Sequence, residues 1–230
     1  MKIDSAQALV TGGSSGIGCA TAKLLIEKGA RVAICGRDRA KLEKAAGEIG
    51  ALAIHADVSV ESDVREMVET VIDTFGDYNV LINNAAFGNW TNLVDLQLED
   101  MQRLFATNVF GAMLVARESA RHFVAKQYGN IVNVASSAGV RGYAGATAYA
   151  GSKFALRGMT ECWRAELRKS NVRVMLINPS EVQTPFSGGR RAPSPRKLVS
   201  GDIAQAIVSM LELEDRGFVT EMAVWATNPE

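Results

Sequence analysis

Short apolar runs alternate with longer amphipathic stretches along the whole chain. Runs such as VLIN at 80–83 and IVNV at 131–134 are typical of strands whose two faces are both buried. The stretch 17–28 instead places Ile17, Ala20 and Leu24 on one helical face, and Gly29 follows it as a C-terminal cap. Such an alternation of strands and helices predicts a parallel sheet with helices on both of its faces.

No linker interrupts this alternation, so we predict one domain over residues 1–230. The fold class is α/β, with a Rossmann-type, doubly wound parallel sheet of about seven strands. The predicted strands cover 8–10, 31–35, 52–55, 80–83, 131–134, 172–177 and 218–225. The predicted helices cover 17–28, 38–49, 60–75, 99–126, 149–169 and 202–213. A loop rich in Gly, Pro and Arg is predicted over 184–198.

Charge balance and cysteine usage narrow the possible functions. Lys plus Arg and Asp plus Glu number 25 each, so no global field favours nucleic acid or an anionic membrane. No apolar run approaches the roughly 18 residues of a membrane-spanning helix, and we expect no signal peptide at the N-terminus. The three cysteines form no CxxC pair, which favours a reducing, cytoplasmic setting. The two histidines lack nearby ligand partners, so we expect no metal site.

A glycine-rich loop, TGGSSGIG at 11–18, lies between the first strand and the first helix. Gly12, Gly16 and Gly18 allow a tight turn and a close approach of the backbone to a pyrophosphate. The N-terminus of the helix would face the phosphates with free N–H groups. The spacing differs from the GxGxxG fingerprint, but the context predicts dinucleotide binding rather than a flexible turn.

The end of the second strand indicates which dinucleotide binds. An acidic residue at this position would bind the ribose 2′-hydroxyl of NAD. The strand ends instead in Gly36 and Arg37, and the guanidinium suits a 2′-phosphate. We therefore predict NADP (NADPH) rather than NAD. Asp38 could pair with Arg37 or cap the next helix, and the cap is the favoured role.

Tyr149 and Lys153 lie four residues apart on a predicted helix, so their side chains share one face. A cation beside a phenol favours the phenolate and lowers the phenol pKa. Such a tyrosine could exchange a proton near neutral pH. A half-buried tyrosine beside a surface lysine is the alternative reading of the isolated pair.

Seven segments together resemble the short-chain dehydrogenase/reductase (SDR) family, in the order that the family shows. They are TGGSSGIG at 11–18, ADV at 56–58, NNAA at 83–86, Asn108, NVASSAG at 133–139, YAGSK at 149–153 and NPSEVQT at 178–184. The stretch 129–186 looks most like 3-oxoacyl-(acyl-carrier-protein) reductase-type members, although these motifs are shared across many substrates.

The resemblance implies catalytic roles for four residues. Tyr149 would be the general acid in carbonyl reduction, and Lys153 would lower its pKa and bind the nicotinamide ribose. Ser136, thirteen residues before Tyr149, would hydrogen-bond the substrate oxygen, with Ser137 as the competing hydroxyl. Asn108 would kink its helix and hold a water that relays protons to Lys153.

The resemblance also implies contacts with the cofactor. Asp57 and Val58 would contact the adenine, residues 84–86 would line the ribose, and Val182 and Thr184 would hold the nicotinamide carboxamide. With the residues derived above, the cofactor-binding positions are Gly12, Ser14, Ser15, Ile17, Gly18, Arg37, Asp57, Val58, Asn84, Ala85, Tyr149, Lys153, Pro179, Val182 and Thr184. For Asn83, a turn or cap role and a functional role both stay open.

Two positions depart from the family pattern. Ala86 replaces the glycine of NNAG, and Ser180 replaces the glycine that usually follows the proline. The first substitution should tighten the ribose contact, and the second should shift the backbone beside the nicotinamide slightly. Neither removes a reacting group.

Substrate contacts are expected after the fourth and fifth strands and in a loop at about 185–198. The candidates are Phe87, Trp90, Val140, Arg141 and Tyr143. The loop holds Arg190, Arg191, Arg196 and Lys197, which suit an acidic partner such as an acyl carrier protein, although a mobile, solvated basic loop is the favoured reading. Trp163 and Trp225 are expected in the core or at a subunit contact.

These observations predict an NADP-dependent oxidoreductase acting on a small-molecule carbonyl or alcohol, with a 3-oxoacyl thioester as the first substrate candidate. Another small ketone, a sugar or a steroid is the alternative. A non-catalytic NADP-binding regulator would be expected to lack Ser136, Tyr149 or Lys153, and all three are present. An epimerase or dehydratase would resemble longer chains. The resemblance also implies a homodimer or homotetramer.

Overall fold

The computed structural model describes residues 1–184, 186 and 194–228. The strands are β1 (Gln7–Thr11), β2 (Arg31–Gly36), β3 (Leu52–His55), β4 (Val80–Asn83), β5 (Gly129–Val134), β6 (Val172–Pro179), β7 (Val182–Gln183), β8 (Leu198–Val199) and β9 (Glu221–Val224). The helices are α1 (Gly16–Glu27), α2 (Arg39–Ile49), α3 (Glu61–Phe75), α4 (Leu98–Phe105), α5 (Ala112–Lys126), α6 (Thr147–Leu167) and α7 (Ser200–Glu212).

The predicted doubly wound parallel sheet is confirmed. Seven strands lie in the order β3-β2-β1-β4-β5-β6-β9, and every neighbouring pair is parallel. The strand order reverses between β1 and β4, where the chain switches from one half of the sheet to the other. Open α/β sheets form a ligand crevice at this point, outside the carboxyl ends of the strands.

Both faces of the sheet are buried, which explains the continuous apolar runs of the strands. Val10, Ile34 and Ile82 point to the face covered by α1, α2 and α7. Leu9 and Leu81 point to the opposite face, covered by α3 and α5. Alternate residues of one strand thus enter two separate cores, and the ends of the strands are left to carry polar side chains.

The long helix predicted over 99–126 is interrupted. Its first part is α4 and its last part is α5, and the intervening stretch Ala106–Gly111 is π-helical. Asn108 lies within this stretch, where it is 1% exposed. A π-helical turn holds one extra residue, and such turns are frequent at functional sites. The kink that the family resemblance implied at Asn108 therefore takes this form.

The region predicted as a loop over 184–198 is bordered by a short pair of strands, β7 and β8, which are parallel to each other. Each is two residues long, too short for a periodic signal. Pro185, Arg190 and Arg191 lie outside the described residues. Arg196 and Lys197 are described, and Lys197 Nζ lies 3.2 Å from a carboxylate oxygen of Glu181.

The last strand supports the carboxyl end of β6. Pro179 is in register with Val224, and the backbone N–H of Ser180 donates to the carbonyl of Val224 at 2.9 Å. In the described part of the chain, no helix has the length and apolar character needed to cross a bilayer. Within the same residues, no group of three or more His, Cys, Asp or Glu side chains could hold a metal ion.

Candidate active site

A cleft of about 930 Å³ opens at the carboxyl ends of β1, β4, β5 and β6. Most of the predicted site residues line it. They are Gly12, Ser15, Ile17, Asn84, Ala85, Ser136, Tyr149, Lys153, Pro179, Val182 and Thr184. Asn108, Ser14, Gly18, Arg37, Asp57 and Val58 lie behind or beside this lining.

The glycine loop lies at one end of the cleft, and it has no room for a side chain at Gly12 or Gly18. Gly12 has a φ of +64°, and a Cβ there would lie 2.9 Å from the Cα of Ala85. At Gly18 a Cβ would lie 2.5 Å from Nδ2 of Asn84. Helix α1 begins at Gly16, so its N-terminal N–H groups point towards the loop. This bare backbone beside a helix N-terminus fits a pyrophosphate.

Asn84 and Thr11 hold the glycine loop against β4. The side-chain amide of Asn84 donates to the carbonyl of Thr11 at 2.9 Å. In return, Oγ1 of Thr11 accepts from the backbone N–H groups of Asn84 and Ala85, at 2.9 and 3.0 Å. The Asn84 side chain therefore fixes the shape of the loop, and Thr11 is a supporting residue that sequence reasoning did not single out. Asn83 has a structural partner as well, since its Nδ2 donates to the carbonyl of Ala112 at 2.8 Å.

The residues after β2 form a polar group beside the glycine loop. Asp38 caps α2, as predicted, by accepting from the backbone N–H of Lys41 at 3.0 Å. Arg37 instead pairs with Asp57, with 3.8 Å between Nη1 and Oδ2. The ammonium of Lys41 lies 3.3 Å from Oγ of Ser15 and lines the cleft. Lys41 was missed by sequence reasoning, although its place in the first turn of a capped helix was a usable signal.

Two predicted cofactor residues have mainly packing contacts. Val58 is buried, and its side chain lies where a Cβ on Gly111 would clash at 2.8 Å. Ser14 lies beside Gly36, where an added Cβ would meet its Oγ at 3.5 Å. Their roles towards an adenine or a phosphate stay predictions.

Tyr149 and Ser136 meet at the centre of the cleft. Burial raises the pKa of Tyr149 to about 12, and a hydrogen bond with Ser136 acts in the opposite direction. The pKa of Tyr149 is therefore raised, where we expected Lys153 to lower it, because burial is the largest influence on the phenol. The phenol carries its proton at neutral pH, as a general acid requires. Ser137 also lines the cleft, so it stays open as the competing hydroxyl.

Lys153 lies behind Tyr149. Its Nζ donates to the carbonyl of Val134 at 2.9 Å and lies 5.8 Å from the centre of the Tyr149 ring. Burial lowers the pKa of Lys153 to about 8, so the ammonium is still mostly charged at neutral pH. The sheet thus holds a cation within electrostatic range of the phenol.

Asn108 connects this centre to the loop after β4. Its Oδ1 accepts from the backbone N–H of Phe87 at 3.0 Å, and its Nδ2 donates to the carbonyl of Phe87 at 2.9 Å. The same Nδ2 lies 3.2 Å from Oγ of Ser152 on α6. Both amide protons are therefore engaged with protein atoms. The side chain positions the Phe87 loop against α6, and its role in a water relay stays a prediction.

The other end of the cleft is aromatic. Phe87, Trp90 and Tyr143 line it, as predicted, whereas Val140 and Arg141 are not among its described lining residues. Phe186 also lines it and was not singled out from the sequence. Trp163 packs against the cores, as expected, and Trp225 is 61% exposed.

The sequence is similar to a known protein family and to several curated proteins. The family model described as short chain dehydrogenase matches residues 6–194. The uncharacterized oxidoreductase YxnA of Bacillus subtilis is 38% identical over 194 residues, which are 81% of this chain and 54% of that longer protein. A 3-oxoacyl-[acyl-carrier-protein] reductase of Bos taurus is 34% identical over 88% of this chain and 90% of its own length.

Two solved structures share the fold over nearly the whole chain. The 3-ketoacyl-(acyl-carrier-protein) reductase of Brucella melitensis in complex with NADH superposes with a TM-score of 0.90, at 31% identity, and 96% of each chain is covered. The alcohol dehydrogenase of Thermococcus sibiricus in complex with 5-hydroxy-NADP gives a TM-score of 0.89 at 28% identity, covering 97% of this chain and 98% of the other.

Proposed function

We propose that this chain, which belongs to the short chain dehydrogenase family, is an NADP-dependent oxidoreductase that interconverts a carbonyl group and a secondary alcohol. One observation supports this most strongly. Tyr149, hydrogen-bonded to Ser136 and backed by Lys153, faces the same cleft as the glycine loop. A dinucleotide on that loop would therefore share the cleft with a protonated acid.

In carbonyl reduction, a bound reduced nicotinamide would supply the hydride that the carbonyl carbon accepts. Tyr149 donates its phenolic proton to the carbonyl oxygen as this oxygen gains negative charge. Ser136 hydrogen-bonds the same oxygen and so holds it beside the phenol. The ammonium of Lys153 stabilises the phenolate that remains. Oxidation of the alcohol uses the same groups in reverse.

The residues at the cofactor end fit a dinucleotide. A Cβ at Gly12 or Gly18 would press against Ala85 or Asn84, so glycine at both positions keeps the loop in the shape that would hold a pyrophosphate. Pro179, Val182 and Thr184 also line the cleft, and we assign them to the nicotinamide end of the cofactor. These contacts, like the contacts of Asp57 and Val58 with the adenine, are part of the proposal.

We further propose NADP rather than NAD. Position 36, at the end of β2, is a glycine rather than an acid, and Arg37 follows it directly. Lys41 lies in α2, and its ammonium is 3.3 Å from Ser15 of the glycine loop. Both would approach a 2′-phosphate on the adenine ribose. The fold itself does not decide, because one similar structure is a complex with NADH and the other with 5-hydroxy-NADP.

The first candidate substrate class is a 3-oxoacyl thioester, supported by the similarity of this chain to the reductases of Bos taurus and Brucella melitensis. We also propose that the chain works in the cytoplasm as a homodimer or homotetramer. Phe110 is 56% exposed and Phe154 45% exposed on the outer sides of the π-helical stretch and of α6, and both suit a subunit contact. The elution volume in size-exclusion chromatography would test this assembly.

The substitution Tyr149→Phe tests the proposed chemistry, because it removes the acid and keeps the ring. We expect kcat for NADPH-dependent ketone reduction to fall about 1,000-fold. The NADPH dissociation constant should stay unchanged, since the glycine loop is untouched. The matched control is Tyr128→Phe, which removes a phenol that lies beside Asp215. Unaltered turnover in Tyr149→Phe would contradict the proposal.

A further inference from the structure

Three aromatic side chains surround the catalytic phenol on its substrate side. We call Trp90, Tyr143 and Phe186 the aromatic wall. The ring centres of Trp90 and Phe186 lie 5.8 and 5.6 Å from that of Tyr149. Trp90 and Phe186 are 6.0 Å apart and nearly perpendicular, at 87°. These distances are in the range in which aromatic rings attract one another by their edges and faces.

Trp90 is held in this position. Its indole Nε1 donates to the hydroxyl of Tyr143 at 3.2 Å, which joins the loop after β4 to the loop before α6. The indole also lies against Gly88, where a Cβ would come within 2.2 Å of the six-membered ring. The next residue, Thr91, donates its backbone N–H to the carbonyl of Gly145 at 2.8 Å. Trp90 and Tyr143 are therefore held in position before any ligand binds.

The wall is only half covered by protein. Trp90 is 46% exposed, Tyr143 52% and Phe186 38%. All three line the same cleft, so a ligand next to Tyr149 would cover them. Covering apolar ring surface is favourable, and a flat ring can also stack on or edge against each member.

Among the described residues that line the cleft, the charged ones place no cation beside the aromatic wall. Of the described lining residues, Lys41, Lys153 and Glu181 carry charge. Lys41 lies beside Ser15 at the cofactor end, and Lys153 is bonded to the sheet behind Tyr149. Glu181, which is paired with Lys197, is an acid. A neutral group therefore suits the space beside the aromatic wall better than a carboxylate or a phosphate does.

We propose that the substrate is a neutral ketone with a planar aromatic ring close to its carbonyl group. The ring lies within the aromatic wall while the carbonyl oxygen faces Tyr149 and Ser136. This inference rests on the proposed carbonyl reduction, and it replaces the linear 3-oxoacyl thioester with this class as the preferred substrate. A linear acyl chain would cover the same rings without the gain from ring-to-ring geometry.

The test compares ketones that share one reacting group. Ethyl 3-oxo-4-phenylbutanoate and ethyl 4-cyclohexyl-3-oxobutanoate differ only in whether the ring is planar and aromatic, and ethyl 3-oxooctanoate supplies a linear chain. With NADPH, we expect kcat/KM for the phenyl ester to exceed that for the other two roughly tenfold. Equal values for the phenyl and cyclohexyl esters would overturn the inference and leave the carbonyl reduction standing.

Variants then locate the selectivity. Trp90→Leu should bring the phenyl preference to about twofold or less, because kcat/KM should fall more for the phenyl ester than for the cyclohexyl ester. Tyr143→Phe keeps the ring but removes the bond to the indole, and should give an intermediate preference. Trp225→Leu is the matched control, because this tryptophan is exposed and lies outside the cleft. A full phenyl preference in Trp90→Leu would overturn the assignment of the wall.

A binding measurement separates this inference from the proposed function. Phenylacetone should quench the tryptophan fluorescence of the wild-type protein more strongly than cyclohexylacetone does, and Trp90→Phe should lose this difference. If no ketone is reduced but this quenching is seen, the proposed reaction fails and the ring-binding site stands. If ketones are reduced and neither probe is distinguished, the ring-binding site fails alone.

Discussion

The two ends of the cleft are built by different means. At the cofactor end, backbone approaches backbone, and Gly12 and Gly18 leave no space between the loop and β4. Hydrogen bonds between Asn84 and Thr11 lock that arrangement. At the substrate end, side chains from three separate loops meet, among them Trp90 and Phe186. The shape of the first end depends on glycines that lack side chains, and the shape of the second depends on aromatic side chains.

This difference determines what each end tolerates. A methyl group added at the cofactor end meets main chain, which cannot move without disturbing β1 and β4. A change in the aromatic wall removes a half-exposed ring and leaves the sheet as it is. Substitutions should therefore act on binding of every dinucleotide at the first end and on the choice of substrate at the second.

Gly12→Val should have the largest effect on NADPH binding. It forces a β-branched residue into a φ of +64° and places its Cβ 2.9 Å from the Cα of Ala85. Strain and contact together should weaken NADPH binding about 100-fold, as measured by isothermal titration calorimetry. The matched control is Gly47→Val in α2, where an added Cβ meets nothing within 4 Å. Wild-type affinity in Gly12→Val would remove the distinction between the two ends.

Lys153→Met should change how stability depends on pH in the cofactor-free protein. Burial lowers the pKa of Lys153 to about 8, so between about pH 8 and 10.5 the unfolded chain binds more protons than the folded one. The contribution of Lys153 to the free energy of unfolding therefore rises with pH in that window and does not change with pH below it. Relative to Lys153→Met, the free energy of unfolding of the wild type should gain about 2 kcal/mol between pH 7 and pH 10.

Urea titrations of both proteins at several pH values measure this difference. Comparing the two proteins at each pH cancels the groups that they share, including Cys35, whose pKa burial raises to about 12. Parallel curves would show that Lys153 titrates normally in the folded state.

Arg37→Ala should have the smallest effect and sharpens the cofactor end. The guanidinium is exposed and paired with Asp57, so its loss should raise KM for NADPH about fivefold and leave KM for NADH unchanged. Arg39→Ala is the matched control, because Arg39 is equally exposed and pairs with Glu43 within α2. An equal change for both cofactors would contradict the assignment of Arg37.

Much of the fold could be predicted from the sequence, because strands buried on both faces leave a continuous apolar signal. The sheet was predicted in this way. The cap at Asp38 was predicted from the preference of aspartate for the N-terminus of a helix. The π-helical stretch gives no such signal, and Asn108 within it bonds to Phe87, which lies 21 residues earlier in the sequence. Strands β7 and β8 escaped detection because two residues show no period.

Within the site, motifs located the proposed reacting groups, which line the cleft, but did not predict their pKa values. The spacing of Tyr149 and Lys153 predicted a shared helical face, yet burial decides the phenol pKa, and burial depends on the whole fold. Lys41 was missed and Phe186 was predicted only as part of the loop at about 185–198, because tertiary packing decides which of these side chains enter the cleft. Patterns identify chemistry within one element more readily than chemistry between elements.

The pairing of β9 with the end of β6 has a consequence for how the protein is made. Val224 holds the backbone at Pro179 and Ser180, just before the residues that line the far side of the cleft. A growing chain must therefore emerge from the ribosome at least as far as Val224 before this part of the cleft can form. Until then β6 has an open edge, and that interval is when a nascent chain is most prone to pair with its neighbours.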